Sequence, residues 1–275
     1  MNISKHQEEY VKEMRRRGYS ENSIKNYASC LALFLSESVK EHPLHINETD
    51  IKEYLGKFTV PNTQRNIHSA IKKFYDICFG QKEKFKYIRY CKKSNKLPIV
   101  LSQEEMKRLF DACKNLKHKC IMSLMYGCGM RVGEVINLKP NHIDSSRMII
   151  NIIQGKGKKD RQVMLPLVLL EMLRKYWKEY KPVEYLFNGQ FSIQYSQRSV
   201  NMFVKDYAEK AGIKNKRIYA HLFRHCSFTH LVESGVDINI IKRLAGHSSV
   251  KTTNTYCHTS HNYISKIQSP LTAIL

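Results

Sequence analysis

The sequence predicts a mainly α-helical protein with a small β-sheet, divided into two units, and three observations carry that expectation. Apolar residues recur at three- and four-residue spacing along most of the 275 residues, the signature of helices with one buried face. A single stretch in the second half replaces that period with a dense run of isoleucines beside a glycine-rich turn, the pattern of a hairpin. A strongly basic segment separates the helical N-terminal part from the remainder. The length supports about two domains at ~150 residues each, large enough to bury separate cores.

The elements follow in order. Gln7 to Arg16 can form a first helix, and Ser20 is a good N-cap for a second, which carries Ile24, Tyr27, Leu31, Phe34 and Leu35 on one stripe. Ile51, Tyr54 and Leu55 mark a shorter third. Pro61, suited to a first helical turn, opens a fourth through Ile67, Ala70, Ile71, Phe74, Tyr75 and Cys78. These helices make an N-terminal domain over 1–80. From 81 to 100, Lys82, Lys84, Lys86, Arg89, Lys92, Lys93 and Lys96 face a single acidic residue, Glu83. This linker reads either as a solvated loop or as a strap lying on phosphates. The second domain, 101–275, opens on Ser102 and Glu105, spaced as a capping box ahead of Met106, Leu109 and Phe110. Helix is expected to continue through Cys120 to Tyr126 and to stop at Gly127-Cys-Gly129. Arg147 to Gln154 and Arg161 to Leu165 then form the arms of the hairpin, with Gly155-Lys-Gly-Lys158 as its turn. Helical spacing resumes beyond Pro166, and no internal repeat is visible.

Charge narrows the partner. Lysine and arginine number 46 against 24 aspartates and glutamates, a formal net charge of +22. With 42% hydrophobic and 10% aromatic residues the chain is no disordered basic tail, so the charge sits on folded surfaces and attracts a polyanion. An anionic membrane is the weaker candidate. The longest apolar stretch, Val163 to Leu170, is broken by Pro166 and falls far short of the ~20 residues of a spanning helix. Met1 to Lys12 lacks the apolar core of a secretion signal. A soluble cytoplasmic protein is expected, its eight cysteines, with no CxxC pair, being reduced thiols rather than a disulfide framework.

Three basic clusters carry more information than the total. In Gly127-Cys-Gly-Met-Arg131-Val-Gly-Glu134 a glycine-bounded turn launches a helix with Arg131 in its first turn, a good place for a phosphate; Arg131 can equally pair with Glu134. In Gln154-Gly-Lys156-Gly-Lys158-Lys-Asp-Arg161 a lysine on the turn can reach into a groove and donate a proton to a leaving alkoxide, or simply decorate a soluble turn. The third cluster is His221-Leu-Phe-Arg224-His225, followed by Gly246-His247 and by Tyr256. His221 and Arg224 share a helix face. His221 and His225, with Cys226 and His230 nearby, also have zinc-ligand spacing; the glutamate of an HExxH pattern is missing, and an arginine stands inside the cluster.

The ordered set Arg131, Lys156, His221-x-x-Arg224, His247 and Tyr256 resembles the tyrosine site-specific recombinases, the lambda integrase family that includes Xer-type and integron integrases. Gly129-Met-Arg-Val-Gly-Glu134, Gly155-Lys-Gly-Lys158 and Leu244-Ala-Gly-His247 agree closely with it, and the resemblance covers essentially the whole chain. It implies a helical core-binding (SAM-like) N-terminal domain and an α+β catalytic domain that clamp duplex DNA, with no cofactor and no metal. It implies that Tyr256 is the nucleophile, forming a 3′-phosphotyrosine and freeing a 5′-hydroxyl. Arg131 and Arg224 would clamp the non-bridging oxygens and Lys156 would protonate the leaving oxygen. His221 would be the acid/base histidine and His247 a donor to the phosphate, with Glu134 orienting nearby basic groups. The helix from Pro61 to Cys78, with Arg65, His68, Lys72 and Lys73, is the candidate for a DNA groove, with Lys92, Lys93 and Lys158 as further DNA contacts.

Tyr263 is a rival nucleophile, although spacing favours Tyr256. With Ile264, Ile267, Leu271 and Ile274 it suggests an apolar tail, from about 258, that docks on a neighbouring protomer or on its own domain. The partners implied are double-stranded recombination sites, with a homotetramer on paired sites, monomeric or weakly associated off DNA, working on the bacterial nucleoid. No arm-binding domain fits ahead of Lys5, and no integron-type extra helix fits between Leu186-Phe187 and His221, so a minimal Xer-like member is expected. The competing functions are type IB topoisomerase-like cleavage and resealing, and non-catalytic DNA binding. Whether such a protein resolves replicon dimers or moves a mobile element is not written in these motifs.

Overall fold

The computed structural model describes residues 2–89, 91, 99–153, 160–190, 192–247, 249 and 253–256. The chain divides into two compact units, 1–96 and 97–275. In the first, α1 (Ile3–Arg16), α2 (Glu21–Ser36), α3 (Glu48–Gly56) and α4 (Pro61–Phe79) pack around one core. Their boundaries follow local chemistry. The Ser20 hydroxyl accepts from the Ser23 amide, Asn47 and Asp50 form a reciprocal capping box, and α4 starts on Pro61 and ends on Gly80 in the left-handed region at φ 67°. The core is aromatic, and its phenols are tied to backbone: Tyr10 donates to the Ala70 carbonyl at 3.0 Å and Tyr75 to that of Pro43 at 2.7 Å. Phe85 and Ile88 are buried in the same core. The beginning of the basic segment is therefore packed on the helices, and the compact unit runs past residue 80.

In the second unit, α5 (Gln103–Ala112) begins at the expected capping box of Ser102 and Glu105. The helix expected to run on to Tyr126 breaks at residues 113–115. Asn115 accepts from the His118 amide at 3.0 Å and so starts α6 (Leu116–Gly127) afresh. The short α7 (Val132–Ile136) follows, then a three-stranded antiparallel sheet of β1 (Ile143–Asp144), β2 (Ile149–Ile152) and β3 (Arg161–Met164) in that order. The hairpin register pairs Ile150 with Val163 and Ile152 with Arg161; β1, only two residues long, was not foreseen. Next come α8 (Leu167–Tyr180), α9 (Gln197–Lys210), α10 (Ala220–Glu233) and α11 (Ile238–Ala245), with a helical turn at 253–256.

α10 runs through the middle of this unit, and ten of its fourteen residues are buried, as expected of a helix enclosed on all sides. It also holds the unit's beginning: His230 Nε2 donates to the Leu101 carbonyl at 2.9 Å, and Tyr126 donates to His230 Nδ1 at 2.9 Å. The seven described cysteines are free thiols. Among the described residues no helix is long and apolar enough to cross a membrane.

Candidate active site

Because α10 is enclosed, Arg224 lies in the interior, 1% exposed. A guanidinium there must find acceptors to offset its lost hydration. It donates to the carbonyls of Gly129 and Ala245 and lies over the Phe228 ring, 4.7 Å from the centroid. Gly129 is required for this arrangement. Its φ is 59°, and a Cβ there would stand 2.5 Å from the Phe228 ring edge.

The C-terminus of α11 is the meeting point. The last carbonyls of a helix have no partner inside it and carry the negative end of its dipole. Ala245 O accepts from Arg224 and from Arg131 Nη2 at 3.3 Å, while Leu244 O accepts from Arg161 Nε at 3.0 Å. Three arginines thus share two carbonyls. One buried carboxylate balances them: Glu134 accepts from Arg131 Nη1 at 2.9 Å and from the Arg131 amide at 2.8 Å, and takes the Arg161 fork at 2.7 and 2.6 Å. Burial alone would raise its pKa, but Arg161 first and then Arg131 pull it down to about 2. Burial and the neighbouring Arg131 lower Arg224 to about 10, so it stays charged at neutral pH.

His247 follows the left-handed cap Gly246. Its Nε2 lies 3.4 Å from Arg224 Nη2 and its Nδ1 3.0 Å from the Thr253 hydroxyl. Arginine only donates, so Nε2 accepts and Nδ1 carries the proton. Burial and the surrounding arginines lower its pKa to about 4, and the ring is neutral. Tyr256, 3% exposed, packs near-parallel to His247 at 6.0 Å and against Phe228 at 5.3 Å. Burial raises its phenol pKa, opposed by Arg224 and Arg131.

The structure therefore brings together Arg131, Arg224, His247 and Tyr256 from separate segments, with Glu134 bonded to both Arg131 and Arg161. His221 sits on the exposed rim at the start of α10, edge-on to His225 with centroids 4.7 Å apart. Lys156 and Lys158 lie outside the described residues, as do Lys92, Lys93 and Tyr263.

In the first unit, one expectation is corrected. His68 is not a groove residue: it is 2% exposed, donates from Nε2 to the Ile88 carbonyl at 3.0 Å and packs edge-on against Phe85. It lies on the same stripe of α4 as Ile71 and Tyr75, three and seven positions on, so the helix turns it inward. Lys73 donates to the Tyr19 hydroxyl at 2.8 Å over that ring. Arg65 reaches the Cys91 carbonyl at 3.2 Å and, with Lys52 and Arg89, lines a cavity of about 220 Å³. Lys72 is half-buried on the flank of α4.

Sequence reasoning did not select Arg161, Thr253 or His225. Strand parity could have found the first, since Arg161 shares the inward face of β3 with buried Val163 and is followed in the same parity by Leu165. His225, noted only for metal spacing, lies between His221 and Tyr256, with its centroid 5.7 Å from the latter. Burial and Arg224 lower its pKa.

Comparison with known proteins agrees with this geometry. Residues 100–262 match the model of the phage integrase family, and residues 7–82 that of the phage integrase N-terminal SAM-like domain. A putative integrase/recombinase, y4qK, of Sinorhizobium fredii is 32% identical, covering 94% of this chain and 85% of that protein. The tyrosine recombinase XerA of Pyrococcus furiosus is 30% identical over 94% of this chain and 90% of its own. The crystal structure of XerH site-specific recombinase bound to palindromic difH substrate, a post-cleavage complex, shares the fold with a TM-score of 0.74 at 22% identity, covering 91% of this chain and 80% of that one. The chain belongs to the phage integrase family and is a tyrosine recombinase, an enzyme that cleaves and rejoins DNA at specific sites.

Proposed function

We propose that Tyr256 attacks the scissile phosphate, leaving a 3′-phosphotyrosine and a free 5′-hydroxyl, and that two rounds of this exchange pass through a Holliday junction. The observation that carries the reading is the convergence of Arg131, Arg224, His247 and Tyr256 on the C-terminus of α11. Arg131, its side chain 20% exposed, receives the non-bridging oxygens first. Arg224 interacts directly with the Tyr256 phenol and engages the phosphate once that side chain moves onto the phosphorus. A preorganised pair of guanidinium groups stabilises charge that grows in the transition state. The Thr253 hydroxyl can donate or accept. It therefore lets His247 move its proton from Nδ1 to Nε2 and donate to the phosphate. His221, at the rim, takes the acid/base role, and Lys156 protonates the 5′-oxygen as it leaves. The phosphotyrosine conserves the energy of the broken bond, so religation requires neither ATP nor a metal ion.

The N-terminal helices (1–80) with Arg65, Lys72 and Lys73, the linker (81–100) with Lys92 and Lys93, and Lys158 supply backbone contacts to the duplex. The enzyme acts as a homotetramer on paired sites, with the tail from about 258 joining protomers. The test begins with mapping of trapped phosphotyrosine adducts across a bacterial genome, which identifies the cleavage site. A two-site plasmid carrying that site then yields recombinant junctions. Plasmid relaxation without recombinants overturns strand exchange in favour of topoisomerase-like resealing, and absence of any adduct overturns catalysis.

A further inference from the structure

We propose that Arg161 is a positioning residue for the phosphate clamp, holding Arg131 in its working orientation through Glu134; this rests on the reading of Arg131 given above. Arg161 opens β3, yet its side chain is only 9% exposed and all three of its guanidinium nitrogens are engaged. Two bind the Glu134 carboxylate as a planar fork, and Nε binds the Leu244 carbonyl two residues before Gly246. A fork of this kind fixes a carboxylate in direction as well as distance. Glu134 in turn holds Arg131 by its side chain and its amide. Arg131 and Arg161 therefore share one carboxylate, and both reach the end of α11.

The close approach is built into the sequence at Gly246. A Cβ at that residue would lie 2.8 Å from Arg161 Cδ, so the chain leading into His247 passes directly over the Arg161 stem. Among the described residues, the groups Arg161 bonds are Glu134 and the Leu244 carbonyl, neither assigned to the phosphate itself. Loss of the fork leaves the Glu134 carboxylate, already bonded to Arg131, without the second guanidinium that shares its charge, so it would compete more strongly with the phosphate oxygens for Arg131. The positioning effect is thus electrostatic and specific to a charged phosphate.

That specificity gives the test. The full chain is assayed for phosphotyrosine formation on synthetic nicked duplexes carrying the mapped cleavage site, with a phosphodiester, a methylphosphonate or a 5′-bridging phosphorothiolate at the scissile position. The methylphosphonate lacks the negative charge the clamp neutralises, and the phosphorothiolate has a leaving group that needs no acid. Arg161→Gln, and Arg161→Lys as a variant that keeps the charge but loses the fork, should slow adduct formation about 10- to 100-fold on the phosphodiester. Relative to the unaltered enzyme, each should recover most of that loss on the methylphosphonate. Ratios between substrates come from one preparation, so a reduced folded fraction cancels. Equal deficits on all three substrates, or recovery on the phosphorothiolate alone, overturn the proposal. Arg131→Ala serves as control: if it does not recover on the methylphosphonate, the clamp reading falls and Arg161's role with it.

Discussion

Helices α4 and α10 both carry histidine and arginine at helical spacing, and the sequence offered both as places where DNA is handled. Their interiors differ in kind. On α4 the inward polar residue is His68, bonded through Nε2 to one backbone carbonyl and packed on Phe85, while the cations stay on the flanks, Lys73 resting on Tyr19. On α10 the inward polar residues include Arg224, a full charge buried to 1% exposure with no carboxylate bonded to it among the described residues. A structural core has no reason to bear such a charge on neutral partners. A site that must receive an anion does, because a carboxylate there would neutralise the guanidinium in advance.

The sharpest way to break this comparison is at the α10 cluster. Tyr256→Phe should abolish the covalent adduct while leaving duplex affinity within about twofold. Arg224→Gln should slow adduct formation at saturating DNA by about 10³-fold, the scale of losing one charge-stabilising donor. Both are read on a nicked duplex by gel shift of the protein–DNA adduct. Persistent adduct in Tyr256→Phe would transfer the role to Tyr263.

A second effect, on stability, concerns the carboxylate that holds the cluster together. The folded-state pKa of Glu134, about 2, lies below its ordinary 4.5, so the unfolded chain takes up the proton first. The stabilisation is full above pH 4.5 and is lost as the pH falls through 2. Glu134→Gln should cost on the order of 3 kcal/mol at pH 7. Urea unfolding should show that the variant loses less stability than the unaltered protein between pH 5 and pH 3.

The contrast also shows what the sequence can reveal. Caps and periodic stripes placed α1 to α4 because each boundary depends on residues a few positions apart. Asn115 escaped as a helix start because an asparagine between apolar stripes also fits a continuous helix, and only its bond to the His118 amide decides. His68 was misjudged and Arg161 passed over although geometry was legible: helix spacing puts one, and strand parity the other, on an inward face. What no local pattern contains is the partner. That Ala245 O accepts from Arg131 and Arg224 depends on contacts between residues 114 and 21 positions apart.

Further down the scale, His68→Ala tests the reading of α4 as scaffold. Removing the buried ring and its bond to Ile88 should cost about 2 kcal/mol of stability. The salt dependence of DNA affinity should stay unchanged, as measured by titration at several salt concentrations. A shallower slope would return His68 to the DNA surface.

The smallest effect separates the flank of α4 from its core. If Lys72 meets a phosphate, Lys72→Ala removes one released counterion, and the slope of log affinity against log salt should shrink by about 0.9. Affinity near 0.1 M salt should fall only a few-fold, and the cleavage rate at saturating DNA should not move. Lys73→Ala should change the slope less, because its ammonium is already held by the Tyr19 hydroxyl and ring and gives up that partner when it turns to DNA. Equal slopes for the two variants would mean that the Tyr19 contact is broken on the duplex, and that α4 meets DNA with both lysines rather than with Lys72 alone.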